Sequence, residues 1–169
     1  FFDALAQCLN QIKNTDTYTV KSLREACHKF YQKNQKLVTD WDLADLNEDT
    51  HSKDRYEQHE YYYKIQYTAD ECNEDFNKDI CIWGRPWVEG VMICQELKVK
   101  GICVISVSKE SETNKLILSY CFRNYKSGQE SPDETPVNKE EFQALLEKGD
   151  IPVLVNVEDK FHFVPLLKE

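Results

Sequence analysis

The sequence predicts a mixed α/β (α+β) domain in which a small mixed central sheet carries packed helices. Three observations predict it. Apolar residues recur at helical spacing near both ends, as in "FFDALAQCLNQIK" and "NKEEFQALLEKG". Four short apolar, mostly β-branched runs, "ICVISVS", "KLILSYCF", "IPVLVNV" and "FHFVPLL", have the length and composition of strands. The order is helices, strand, strand, helix and hairpin without an internal repeat, which is a layered mixed architecture rather than a bundle or a sandwich. At 169 residues the chain is one domain, 1–169, with a sizeable core.

Taken in order, residues 1–13 place Phe1, Phe2, Leu5, Cys8, Leu9 and Ile12 on one helical stripe. "NTDTYT" interrupts it with turn and cap formers, and a second helix runs from about Val20 to Asn34, with Val20, Leu23, Cys27, Phe30 and Tyr31 on one face. Residues from about 35 to 80 form a charged, aromatic insertion of short helices and loops over the core. Within it, Thr68 and Glu71 of "TADE" make a capping box, in which each side chain satisfies the other's orphan backbone N–H. In "WGRPWVEGVMICQELKVKG", Pro86 suits a first helical turn, and Val88, Val91, Met92, Gln95 and Leu97 follow with helical spacing. Gly101 reads as the stop of that helix. Two strands come next, and then a polar loop, "RNYKSGQESPDETPV". Asn138 with Glu141 caps the following helix, whose Phe142, Leu145 and Leu146 face inward before Gly149 stops it. The last two strands pair as a hairpin turning at "EDK".

Composition narrows the function classes. Hydrophobic residues at 41% and charged residues at 30% are those of a soluble globular protein. A net charge of −9 argues against nucleic acid, whose phosphates need clustered Lys and Arg, and favours a basic partner by steering. No apolar run approaches the roughly 20 residues of a membrane helix, so no membrane partner is expected. The seven Cys include no CxxC pair and no zinc spacing, and several occupy apolar positions. They read as small buried hydrophobes in a reducing, intracellular compartment. His51 and His59 stand among acids without a zinc-protease partner, and "DWDLADLNEDT" lacks the turn Gly and bidentate Glu of a calcium loop. With only five Gly and no phosphate-cradling loop, no metal and no cofactor are expected.

His162 in "KFHFVPLL" is the remaining candidate for chemistry. Alternation points Phe161 and Phe163 one way and His162 the other. A lone strand histidine becomes a catalyst only if another element supplies a nucleophile at a helix start, where the dipole favours a thiolate. The chain opens on a helix already in mid-pattern, so a residue immediately before Phe1 would hold that position.

Three stretches together resemble one family, the ovarian tumour (OTU) cysteine proteases. "FFDALAQCL" resembles the run after the family's nucleophilic Cys, an apolar-aromatic pair and then an acid or Arg before "AL". "WGRPWVEGVMICQEL" with "GICVISV" resembles its Trp-Gly helix and the strand after it. "FHFVPLL" resembles its C-terminal strand bearing the general base. The flavour is bacterial, with a long charged segment before the Trp-Gly motif. The resemblance implies a papain-related fold and a deubiquitinase that hydrolyses the isopeptide bond after the C-terminal Gly-Gly of ubiquitin. It implies ubiquitin, polyubiquitin or ubiquitin-like proteins as partners, and a bacterial effector acting in host cytoplasm. It implies His162 as general base and a nucleophilic Cys immediately before Phe1, with Trp83 and Gly84 shaping the substrate groove. Cys8 is no substitute, because it lies two turns along on the inward stripe. Many members carry Asp or Asn two residues after the base. Val164 stands there here, which leaves Asn156, Asp159 or an acid upstream of Phe1 to orient the imidazole, or a Cys–His dyad with no third member. Two other readings stand beside the protease: a non-catalytic ubiquitin-binding module of the same fold, and an interaction domain using the tyrosines of "EYYYKIQY".

Overall fold

The computed structural model of the chain describes residues 1–45, 84–157 and 162–168, apart from positions 112, 114, 128 and 130. Trp83, Asp159, Phe161, the "TADE" box, His51 and His59 lie outside the described residues. So does all of the 35–80 insertion except its first helix.

Helices α1 (Phe2–Lys13), α2 (Val20–Lys33) and α3 (Gln35–Asp45) come first. Asn14 ends α1 in the left-handed conformation, and Thr19 with Ser22 closes a capping box on α2. A π-turn, Pro86–Gly90, leads into α4 (Val91–Glu96). Strands β1 (Ile102–Lys109), β2 (Leu116–Asn124) and β3 (Asp133–Val137), helix α5 (Lys139–Lys148), and strands β4 (Val153–Val157) and β5 (His162–Pro165) complete the order. The five strands run β3-β2-β1-β4-β5, and β1 with β4 is the parallel pair in an otherwise antiparallel sheet. This is the mixed sheet that the sequence predicts.

The two faces of the sheet bury two apolar clusters. Side chains alternate along each strand, so Ile102 and Leu154 point to one face and Cys103, Ile105 and Val153 to the other. On the first face, α1, α2 and α4 supply Leu5, Leu9, Leu23, Met92 and Ile93, each fully buried. A buried side chain of this size contributes roughly 1.5–3 kcal/mol. On the second face α5 packs through Phe142, Leu145 and Leu146, with the Phe142 ring stacked on Tyr120 at 4.5 Å. The Asn138–Glu141 capping box starts α5 through two reciprocal 2.9 Å hydrogen bonds, and Gly149, at φ 63°, ends it.

Two local expectations are corrected. The "DETPV" end of the polar loop is an edge strand, β3, pairing antiparallel with β2. Pro136 lacks an N–H to donate, and an edge position tolerates that loss. Gly101 does not stop α4, which ends at Glu96, and it is Lys98 that takes the left-handed φ of 55°. Gly101 serves a close approach instead: a Cβ there would lie 2.5 Å from the Arg123 carbonyl oxygen and 2.6 Å from the Phe122 ring.

Candidate active site

Strand β5 is the edge of the sheet, and His162 is its first residue, with an exposed side chain. The β4–β5 register sets Val157 opposite His162 and Asn156 opposite Phe163. Opposed residues share a face, so Phe163 and Asn156 point to the helix-covered first face and His162 to the second. The structure therefore does not bring Asn156 and His162 together. The Asn156 Oδ1 is buried without a hydrogen-bond partner, in a cavity of about 200 Å³ lined also by Pro86, Trp87, Ser106, Arg123 and Phe163. Arg123 closes one side of that cavity, 2.7 Å from Glu134 and with its guanidinium carbon 5.4 Å from the Trp87 ring centre.

Helix α1 runs in step with the C-terminal strand. The Phe1 ring meets the Phe163 ring edge-on, with centroids 5.5 Å apart. Farther along, Gln11 Nε2 donates to the Lys168 carbonyl at 2.6 Å, and its Oε1 accepts from the Lys168 N–H at 2.9 Å. From Phe1 to Gln11 a helix rises about 15 Å, and from Phe163 to Lys168 an extended chain spans about 17 Å. The two elements thus point the same way with matched pitch, Phe1 lying against Phe163 while the neighbouring His162 turns to the other face of the sheet.

The Trp-Gly segment builds the floor under this junction. Gly84 is buried, and a Cβ on it would lie 2.1 Å from Phe1 Cδ1. Gly90 lets the same ring in from the other side, where a Cβ would stand 3.2 Å from Phe1 Cζ. Only a residue with no side chain leaves room for the ring, so Gly84 acts on the site from beneath it. The turn between these glycines is held by Glu89, which is fully buried. Its carboxylate accepts from the Arg85 backbone N–H at 2.7 Å, from Nε at 3.2 Å and from Nη2 at 3.0 Å. A buried charge is tolerated only when paired and hydrogen-bonded in this way. Sequence reasoning attached no role to Glu89, and an acid standing in an apolar helical run was the available signal. Arg24 was also missed. It is 7% exposed and lies with its guanidinium carbon 4.4 Å from the Phe2 ring centre, a cation near the start of α1.

Each cysteine among the described residues that lies in the core is poorly suited to be a nucleophile. Burial pushes the Cys8 thiol up to about 11, and the thiol donates a 3.3 Å hydrogen bond to the Val153 carbonyl. Burial raises Cys94 and Cys103 to about 12, and raises Cys27 well above the ordinary range. Half-buried Cys121 is raised to about 11 by the same cause. These thiols are protonated at neutral pH, and the thiolate is the reactive form. Among the described residues no group of three His, Cys, Asp or Glu could hold a metal ion, and no helix is long and apolar enough to cross a membrane.

No family model matches the sequence, and no curated protein matches it. A solved structure does: an OTU deubiquitinase from Wolbachia pipientis wMel, bound to ubiquitin, is similar to this chain at 21% identity and a TM-score of 0.57. The match covers 99% of this chain and 88% of that one. At that identity the likeness is one of backbone. The mixed five-stranded sheet with its packed helices is the OTU deubiquitinase fold.

Proposed function

We propose that the protein is a bacterial OTU-family cysteine deubiquitinase, cleaving the isopeptide bond after the C-terminal Gly-Gly of ubiquitin. The observation that supports this reading is the likeness of the backbone, over 99% of the chain, to an OTU deubiquitinase, with α1 running beside the strand that begins at His162. A Cys immediately before Phe1 stands at a helix N-terminus, where the dipole favours the thiolate, and Arg24 adds a nearby cation. The thiolate attacks the carbonyl carbon, and backbone N–H groups around it stabilise the oxyanion. The His162 imidazole holds the thiol's proton and passes it to the departing lysine amine. Water, deprotonated by the same imidazole, then hydrolyses the thioester and regenerates the enzyme.

Because Asn156 faces the other side of the sheet, Asp159 in the segment before His162, or an acid upstream of Phe1, is the better candidate to orient the imidazole. Gly84, with Trp83 beside it in sequence, shapes the substrate groove by admitting Phe1. The partners are ubiquitin or polyubiquitin, with ubiquitin-like proteins as further substrates, and the setting is an effector in a reducing host cytoplasm.

The test is reaction of the full-length protein with an electrophilic ubiquitin probe. Wild-type protein is expected to form a covalent adduct, and His162→Ala to react at least about 100-fold more slowly, as general-base removal does. Wild-type protein that binds ubiquitin without reacting is a binding module and not an enzyme. Equal reaction of both proteins would remove His162 from the mechanism.

A further inference from the structure

At one end of the first face of the sheet, the apolar core gives way to a polar row. The register sets Ser119 opposite Ser106, Ser106 beside Asn156, and Asn156 opposite Phe163, so these four side chains share that face across β2, β1, β4 and β5. Together with Pro86, Trp87 and the Arg123–Glu134 ion pair, they line the cavity of about 200 Å³ beside Asn156. Exposed Ser119 and Glu134 stand at its mouth. Two polar atoms on its lining residues are fully buried, the Asn156 Oδ1 and the Trp87 Nε1, and neither has a hydrogen-bond partner among the described residues. Buried polar atoms in native proteins are nearly always satisfied, so an orphan acceptor and an orphan donor on one cavity point to a guest that supplies both partners.

We infer that this cavity is a binding site for a small neutral carboxamide, whose NH2 donates to the Asn156 Oδ1 and whose carbonyl accepts from the Trp87 indole N–H. Charge selects against ions. Arg123 and Glu134 neutralise each other at 2.7 Å, and an ion in the cavity would leave either the orphan donor or the orphan acceptor mismatched. Size limits the guest as well. About 200 Å³ is the liquid volume of roughly seven waters and lies below the roughly 300–1,000 Å³ of drug-sized pockets, so it admits one side chain or one small ring and no nucleotide. Pro86, the Trp87 ring and Phe163 supply apolar walls for the body that carries the amide. That amide belongs to a free molecule or to a glutamine side chain of a peptide, and the chemistry is the same. The register turns His162 to the other face, so the site stands whether or not the protein is a protease.

The experiment follows the indole N–H signals of the full-length protein by NMR while benzamide, benzoate or benzamidine is added, three probes of one shape and three charges. The Trp87 signal is assigned by its loss in Trp87→Phe. Benzamide should shift it saturably at roughly millimolar concentration, the range of so small a molecule, and bind at least about tenfold tighter than either ion. Asn156→Leu should weaken benzamide at least about tenfold, because the bound NH2 then lacks its acceptor. Trp87→Phe keeps an apolar ring and should weaken it comparably, read from the Asn156 side-chain amide signals, so that misfolding of one variant leaves the other to decide. Equal affinity for the three probes, a shift that never saturates, or full-strength binding in a folded variant overturns the inference. So does a Trp87 signal that exchanges magnetisation with long-lived water and ignores benzamide, which makes the occupants ordered water only. Displacement of benzamide by acetyl-Gly-Gln-Gly-N-methylamide, but not by its alanine counterpart, supports a peptide side chain as the source. Benzamide binding that neither peptide disturbs supports a free carboxamide, and displacement by both peptides equally overturns the selectivity claimed.

Discussion

Replacing Gly84 with Ala tests the geometry of the junction directly. The new methyl carbon would sit 2.1 Å from Phe1 Cδ1 and 2.9 Å from Cε1 and Cγ, all in an aromatic ring rather than at the end of a flexible side chain. To regain even the 3.4 Å of a close ordinary contact, the ring must withdraw by about 1.3 Å. It cannot withdraw freely, since Phe2 at 5.3 Å and Phe163 at 5.5 Å flank it. Overpacking of this kind costs typically 1–3 kcal/mol. For a domain of this length each kcal/mol lowers Tm by about 2–4 °C, so a drop of roughly 2–12 °C is expected in thermal unfolding. A displacement of about 1 Å between nucleophile and base also costs on the order of 100-fold in rate. Loss of kcat/KM on a ubiquitin fluorophore substrate should therefore exceed what the lower stability explains. The control is Phe1→Leu in the Gly84→Ala background, which removes the clashing ring atoms and should restore part of the lost stability. A Gly84→Ala protein with unchanged Tm and full activity would refute the reasoning, as would strict additivity of the two substitutions.

Three other substitutions or titrations probe the remaining structure. Glu89→Ala removes the buried carboxylate that accepts from the Arg85 guanidinium and backbone N–H, and broken buried pairs cost about 3–5 kcal/mol; because Arg85 is partly exposed, the lower end should appear in urea unfolding. A loss under about 1 kcal/mol would show that Glu89 does not hold the turn. Gln11→Ala removes two hydrogen bonds to the Lys168 backbone at an exposed position, which is worth about 1 kcal/mol, and should speed hydrogen exchange at the Lys168 amide. Unaltered exchange there would mean that the C-terminal segment is tied down elsewhere. The raised thiols make an alkaline prediction. Folded Cys8 titrates near 11 and Cys94 and Cys103 near 12, against 9.0 for an unperturbed thiol, so the folded state holds protons that the unfolded state releases. Their contribution is fully present below the unfolded value of 9.0 and is lost as pH rises through the folded values. The urea midpoint should fall across that window, less steeply in Cys94→Ala than in wild type. A midpoint equally steep in both would dismiss the Cys94 thiol as a contributor.

Much of the local structure was legible in the residues themselves. The inward stripes of α1 and α2, the Asn138–Glu141 cap and the Gly149 stop all reflect contacts between residues three to five apart. Strand positions and the outward turn of His162 relative to Phe163 come from a period of two. β3 was missed for a related reason. Its "DETPV" carries no apolar alternation, because an edge strand is held by backbone pairing with β2 rather than by a buried face. Gly101 was misread because a glycine needed for a close approach to the Phe122 ring looks, in one dimension, like a helix stop.

The sequence by itself determined the class of fold, most of the elements and the residue most worth suspecting. Three short motifs, far apart in the chain, carried the family resemblance, and His162 stood in one of them. Only the tertiary structure decided that α1 lies along β5, that Gly84 sits beneath Phe1, and that Asn156 faces away from His162. The physical reason is the range of the interactions. Helix and strand periodicities are written in near neighbours, whereas Phe1 and Phe163 meet across nearly the whole chain. Which side chains face one another there depends on sheet order and register, and these are settled by how all the apolar faces are buried at once.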